Sequence, residues 1–163
     1  MATNTRFAVA IHTAGMLALD GKLCVTSETI AKSVSTNPVV VRRVIAMLAK
    51  NGLVVVRKGK GGGATLARAA AEITLADVYK AIEPGPLLPI PRLAGSIRLG
   101  PEKPEGSISQ SVGPVLTEFF AHAEAGMLRR LDDFTLADFI DAIQHRMNEH
   151  QQPPAKPARK AGS

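Results

Sequence analysis

A run of basic residues with no acidic neighbour is the feature of this sequence with the clearest chemical meaning. Between Glu28 and Glu72 there is no aspartate or glutamate, while the same interval contains Lys32, Arg42, Arg43, Lys50, Arg57, Lys58, Lys60 and Arg68. A protein that binds a polyanion needs a basic surface of this kind, because each cation placed beside a phosphate releases condensed counterions. The basic block alone is equally compatible with a polyanion-binding surface and with a solvated basic face. The spacing of its residues favours the polyanion-binding surface.

Arg42 and Arg43 are the cations best placed for sequence recognition. An arginine can donate two hydrogen bonds to O6 and N7 of guanine, or it can neutralise a phosphate. Both chemistries are open here. We expect at least one base contact, because both arginines fall in the N-terminal half of a predicted helix, the part that enters the groove in helix-turn-helix motifs.

Three other features could carry different chemistry. Cys24 could be a redox-active thiol or a small buried hydrophobe, and His12 could be a ligand or a packed helical residue; we expect the structural role for both. GKGGGA after LVVV fits the outline of a dinucleotide fingerprint, but the following TLARAAAEIT offers neither a crossover helix nor a parallel strand. We therefore expect no enzyme, no metal and no cofactor. A nucleotide-binding enzyme domain and a winged-helix protein adaptor are the alternatives.

The composition predicts one globular domain with an appendage. The chain has 163 residues, of which 45% are hydrophobic and 21% charged, and its formal net charge is +6. No apolar run approaches the roughly 20 residues of a membrane span, and the first residues lack a secretory signal, so we expect a cytoplasmic protein. The single cysteine excludes an intrachain disulfide and an all-cysteine metal site within one chain.

Three helices should position the two arginines. Asn4 is a candidate cap for a first helix that Asp20-Gly21 ends, and Thr26 is the cap of a short second helix. Asn37 and Pro38 begin a third helix that runs to Lys50. Its apolar spacing predicts one buried face, Val41, Val44, Ile45 and Leu48, and an opposite face that carries Val39, Arg42, Arg43, Ala46 and Lys50.

A β-hairpin and a further helix follow. The β-branched run Leu53 to Val56 and the segment Ala64 to Leu66 are joined by RKGKGGG, whose glycines permit positive φ and whose lysines supply charge. Thr74 caps the next helix, LADVYKAIE, with Asp77 as its capping-box partner. The order helix, helix, helix, hairpin predicts a winged helix-turn-helix.

The second half of the chain predicts an irregular loop and two amphipathic helices. Residues 84–110 contain six prolines, which excludes regular helix. A longer helix then carries apolar residues at helical spacing, which we expect in a dimer interface: Val112, Leu116, Phe119, Phe120, Ala123 and Met127. Thr135 caps a last helix, and the tail QQPPAKPARKAGS has the composition of a disordered segment.

These segments resemble the Rrf2 family of bacterial winged helix-turn-helix regulators, which includes the IscR, NsrR and CymR types. The resemblance covers RFAVAIHTAGMLAL, SETIAKSVSTNPVVVRRVIAMLAKNGLV, the wing KGKGGGATLAR, ADVYKAIE and LDDFTLADFIDAI. TNPVVVRRVI is most similar to the YwnA-like branch. The resemblance implies a homodimer on a roughly palindromic operator, with Asn37, Val39, Val40, Arg42 and Arg43 in the major groove and Lys58 and Lys60 at the wing.

Two departures limit what the resemblance implies. Much of the family has no basic residue at the position of Arg42, so an operator preference does not carry over. Many members hold an iron-sulfur cluster with three loop cysteines, and residues 84–110 contain none. The implied effector is then an unknown small molecule or redox signal rather than a cluster.

The sequence thus predicts a mainly α protein with a small β-hairpin wing. We expect it to act as a DNA-binding transcription regulator and as a repressor. The expected parts are a winged helix-turn-helix at 1–83, an irregular loop at 84–110, dimerisation helices at 111–150 and a disordered tail at 151–163. The expected partners are double-stranded DNA and a second copy of the chain, with no membrane. The expected DNA-binding residues are Thr26, Asn37, Val39, Val40, Arg42, Arg43, Lys50, Arg57, Lys58 and Lys60.

Overall fold

The computed structural model describes residues 3–19, 24–83, 85 and 108–151. Its elements are α1 (Thr3–Leu19), α2 (Ser27–Ser33), α3 (Pro38–Lys50), β1 (Val54–Arg57), β2 (Gly63–Leu66), a short 3-10 turn (Ala70–Glu72), α4 (Leu75–Ile82), α5 (Ile108–Asp132) and α6 (Leu136–Gln151). This is the predicted fold class, a mainly helical chain with one hairpin. Most of the predicted loop and all but the first residue of the predicted tail lie outside the described residues.

Side-chain caps set the starts of the helices that carry the arginines. Thr26 Oγ1 accepts a hydrogen bond from the backbone N of Thr29 at 3.2 Å, and Asn37 Oδ1 accepts one from the N of Val39 at 2.8 Å. These contacts confirm both predicted caps, since they satisfy amides that the helix itself leaves unpaired. The prediction for Asn4 is wrong, because α1 begins at Thr3 and so includes Asn4.

The core lies where α1 crosses the helix-turn-helix. α1 is buried on most of its circumference, at Val9, Ala10, Ile11, Thr13, Ala14 and Leu17. The polar member, Thr13, donates its hydroxyl hydrogen to Val9 O at 2.7 Å, which removes the cost of burying it. The predicted inner face of α3 is fully confirmed by burial of Val41, Val44, Ile45 and Leu48. That packing fixes α3 in rotation and turns its other side to solvent.

The hairpin is antiparallel and is attached to the rest of the domain at its second strand. Val54 pairs with Leu66 and Arg57 with Gly63, so the register fixes a tip at 58–62. Val25 N and Ala64 O lie 3.0 Å apart and Ala64 N and Val25 O 2.9 Å, which forms a bridge to the segment before α2. The base of the wing is therefore hydrogen-bonded next to the start of α2.

The last two helices differ in how they relate to this core. α6 returns to the winged helix, because Leu75 N donates to Phe134 O at 2.9 Å and Leu136 N to Ile73 O at 2.8 Å. Leu136 and Ile140 of α6 join the core. α5 begins at Ile108, four residues before the predicted start near Val112, and carries Pro114 within it. Among the described residues, no helix is long and apolar enough to cross a membrane.

Candidate nucleic-acid interface

The turn between α2 and α3 presents the N-terminal half of α3 at the surface. The backbone N of Thr36 donates to Ala31 O at 2.9 Å, and Ser35 between them adopts a φ of 52°. α2 packs on α3 through the buried Ile30 and Ala31. The two helices therefore form the helix-turn-helix that the sequence predicted.

The exposed surface of α2, α3 and the hairpin carries most of the predicted DNA-binding residues: Thr26, Asn37, Val39, Arg42, Arg43, Lys50, Arg57, Lys58 and Lys60. Val40 differs, because it is half-buried and packs against the core. Asn37 already uses Oδ1 in the cap, which leaves its amide nitrogen for another contact.

Lys50 stands apart from the two arginines along the helix. It is the last residue of α3, and at 1.5 Å per residue it lies roughly 12 Å along the axis from Arg42. A helix that enters a groove by its N-terminal half would hold Lys50 nearer the groove's edge, where phosphates are found.

Clefts on both sides make α3 a ridge. The cleft toward α1 has a volume of about 470 Å³ and is lined by Arg6, Arg43, Val40 and Met47 among others. The cleft toward the hairpin has a volume of about 310 Å³, and its lining includes Ser27, Arg42 and Val56. Arg42 and Arg43 therefore lie on opposite sides of α3, one in each flanking cleft.

Arg42 is engaged in a contact that the sequence did not reveal. Its Nε donates to Ser27 Oγ at 3.2 Å, and its Nη2 donates to Glu28 Oε1 in an ion pair whose side chains are 59% and 53% exposed. The hydrogen bond from Arg42 holds the pKa of Glu28 below its usual value, so this carboxylate is ionised at neutral pH. Glu28, taken above as the border of the basic block, is thus a member of this surface.

Arg6 is a basic residue near α3 that the sequence did not point to. Its Nη1 lies 3.4 Å from Ile82 O, to which it donates, and 3.2 Å from Glu83 Oε1. Because the Glu83 side chain is only 13% exposed, this pair ties α1 to the end of α4 and offsets the charge of Arg6 in its cleft. Arg43 is the more accessible cation on that side.

The hairpin tip concentrates positive charge on a tight turn. Lys58 and Lys60 are exposed there, and none of the ion pairs among the described residues involves either lysine. The backbone N of Gly62 donates to Gly59 O at 2.9 Å. A Cβ on Gly62 would lie 2.3 Å from Arg57 O, so the turn requires glycine at this position. GKGGGA therefore forms an antiparallel hairpin turn and does not lead into a crossover helix, which removes the dinucleotide interpretation.

The predicted dimerisation residues lie along α5 with unequal exposure. Phe119 is 65% exposed and Phe120 37%, and Ala123 is also exposed. Val112, Leu116 and Met127 are half-buried within the single chain. Large aromatic side chains open to water on one helix are typical of a surface covered by a partner.

The two residues with alternative roles have local structural environments. His12 Nε2 lies 2.9 Å from Ser33 Oγ, a hydrogen bond that links α1 to the end of α2. Cys24 is half-buried, so it is more accessible than the buried hydrophobe that the sequence suggested. Within 3–19, 24–83, 85 and 108–151 there is no group of three or more His, Cys, Asp or Glu that could hold a metal ion.

Comparison with known proteins gives a consistent match over most of the chain. The model of the Rrf2 family, described as "Iron-dependent Transcriptional regulator", matches residues 3–142. The chain is 34% identical over 140 residues to the Bacillus subtilis "Putative HTH-type transcriptional regulator YwnA", covering 86% of this chain and 98% of that one.

Solved structures show the same arrangement. A provisionally assigned transcriptional regulator from Lactobacillus plantarum is 30% identical with a TM-score of 0.71, covering 90% of this chain and 96% of that one. IscR of T. potens shares the fold at 23% identity and a TM-score of 0.59, covering 91% of this chain and 90% of that one.

Proposed function

This chain belongs to the Rrf2 family of transcriptional regulators, and from that premise we propose that it is a repressor that binds a roughly palindromic operator as a homodimer. At the coarser level it is a DNA-binding regulator and not an enzyme. The observation that carries the finer proposal is the placement of Arg42 and Arg43 on an exposed ridge, beside a cationic hairpin.

In this proposal α3 reads bases and the hairpin binds the backbone. Arg42 and Arg43 are within the first half of α3, where side chains reach base edges in a helix-turn-helix. Lys58 and Lys60, on a glycine turn, supply charge to phosphates or to the adjacent minor groove. We expect Thr26, at the N-terminus of α2, to approach a phosphate, as backbone amides and hydroxyls at helix starts commonly do.

Dimerisation through α5 is supported by its exposed aromatic residues. Phe119 and Phe120 lie side by side in the sequence, on a helix of 25 residues that packs against α4. A symmetric pair of such helices would bury both faces and place two copies of α3 on successive half-sites. The operator would then share the two-fold symmetry of the dimer.

The family description implies iron, and the residues of this chain do not fit an iron-sulfur cluster held by cysteines. The chain has one cysteine, and residues 84–110 contain neither cysteine nor histidine. Two copies of Cys24 would supply only two thiolates to a centre that ordinarily takes four ligands. We therefore propose that the signal is a small molecule or a redox change that does not require a cluster, received in the cytoplasm where the operator is.

Footprinting on the DNA upstream of the protein's own gene, followed by selection from a random duplex library, tests the proposal. The expected result is a protected, two-fold symmetric sequence whose half-sites lie about 10 base pairs or a multiple apart. Equal affinity for the selected duplex and for a scrambled duplex of the same composition would contradict sequence-specific regulation.

A further inference from the structure

The contacts of Arg42 use one edge of its guanidinium and leave the other edge open. The planar group has a side edge, formed by Nε and Nη2, and an end edge, formed by Nη1 and Nη2. Ser27 and Glu28 accept from Nε and Nη2, so they occupy the side edge. Among the hydrogen bonds of the described residues, none involves Nη1 of Arg42. The end edge therefore retains the two parallel N–H donors that match O6 and N7 of guanine.

If the Arg42 guanidinium is ordered before DNA binds, less side-chain conformational entropy is lost on binding. An arginine side chain has many rotamers, and those that are lost on binding reduce affinity. Arg42 belongs to α3, and its Nε and Nη2 donate hydrogen bonds to two residues of α2. The packing of α2 against α3 therefore sets the orientation of the guanidinium plane. A guanidinium already ordered in this way loses less freedom when it binds a base.

The charge of Glu28 also affects binding to every DNA sequence. It lies in the first turn of α2 on the basic surface, where its carboxylate repels phosphates whatever the sequence. Because this repulsion is the same for every sequence, it lowers affinity without changing discrimination. Glu28 can therefore alter discrimination only through its contact with Arg42.

We propose that Glu28 and Ser27 are positioning residues that orient the end edge of Arg42 toward a guanine of the operator. This inference rests on the proposed function, and it assigns a role to an acidic residue on a DNA-binding surface. Because both members of the ion pair are more than half exposed, the pair adds little to the stability of the fold. Substitutions of Glu28 should therefore leave a folded protein whose binding can be measured.

The test uses the full chain and a duplex that the wild-type protein has enriched from a random library. Guanines of this duplex are replaced one at a time by 7-deazaguanine, which lacks the N7 acceptor. The guanine contacted by Arg42 is identified as the one at which 7-deazaguanine weakens binding of the wild-type protein but not of R42A. Exchange of that G·C pair for A·T should then weaken wild-type binding by about 5- to 160-fold.

The variants at Glu28 separate positioning from charge. E28A should reduce this discrimination between G·C and A·T by about 2- to 12-fold. This factor corresponds to the free-energy cost of ordering one long side chain on binding. S27A should reduce it in the same direction. E28Q keeps an oxygen that accepts from Nη2 and should retain discrimination. D141A removes an acid from α6, outside the surface formed by α2, α3 and the hairpin, and is the matched control.

The possible results are distinguishable. If E28A discriminates as well as D141A, or if E28Q loses as much as E28A, the positioning role is overturned while the proposed function stands. If no guanine depends on Arg42, the inference is likewise overturned. If the wild-type protein enriches no sequence at all, the proposed function fails and this inference fails with it.

Discussion

Removal of the two lysines at the hairpin tip should change how DNA binding responds to salt. Lys58 and Lys60 are exposed, and no ion pair of the described residues occupies them. If each neutralises one phosphate of B-DNA, K58A/K60A should lower the slope of log affinity against log salt by about 1.8 per bound protomer. For a dimer with both hairpins bound to DNA, K58A/K60A should lower the slope by about 3.6.

The magnitude is large enough for a direct measurement. Between 50 and 200 mM salt, a slope difference of about 1.8 changes the ratio of wild-type to variant affinity by roughly 12-fold. Fluorescence anisotropy with a labelled duplex at four or five salt concentrations gives both slopes. The loss should be similar on the selected duplex and on a scrambled one, because phosphates carry no sequence information.

Single variants and a distant lysine provide the controls. K58A and K60A should each lower the slope by about 0.9, whereas K80A, an exposed lysine on α4, should leave it unchanged. Circular dichroism checks that each variant keeps its helices. A slope in K58A/K60A equal to that of wild type would refute a backbone role for the hairpin tip, even if affinity fell.

The remaining predictions concern α3, the hairpin turn, the dimer and iron. R43A should weaken binding to the selected duplex by about 1 to 3 kcal/mol and hardly affect random DNA, whereas an equal loss on both would indicate a phosphate contact. G62A places a Cβ 2.3 Å from Arg57 O, so it should distort the hairpin and weaken binding to every sequence, while G85A, whose Cβ meets open space, should not. F120E should yield monomers or insoluble protein in light scattering, and a well-behaved wild-type monomer at micromolar concentration would exclude dimerisation through α5. Protein purified without oxygen should be colourless with DNA binding insensitive to iron chelation, and a brown preparation with stoichiometric iron and sulfide would contradict this.

The sequence by itself determined the local structure of this protein. Caps at Thr26, Asn37 and Thr74 and the apolar period of α3 depend on residues within one turn of each other, so they can be read along the chain. The hairpin follows for the same reason, since its glycine turn and β-branched strands are adjacent. These local signals were sufficient for the fold class, the exposed position of both arginines and the family.

Only the tertiary structure decided which neighbours those residues meet. Arg42 and Glu28 are 14 residues apart on two helices, and their ion pair exists because α2 crosses α3 at a particular angle and distance. The half-burial of Val40 and the return of α6 to the core depend on packing in the same way. The spacing of apolar residues predicts which face of a helix is apolar, but it does not predict which residues pack against that face. The contacts that orient Arg42 therefore could not be obtained from spacing along the chain.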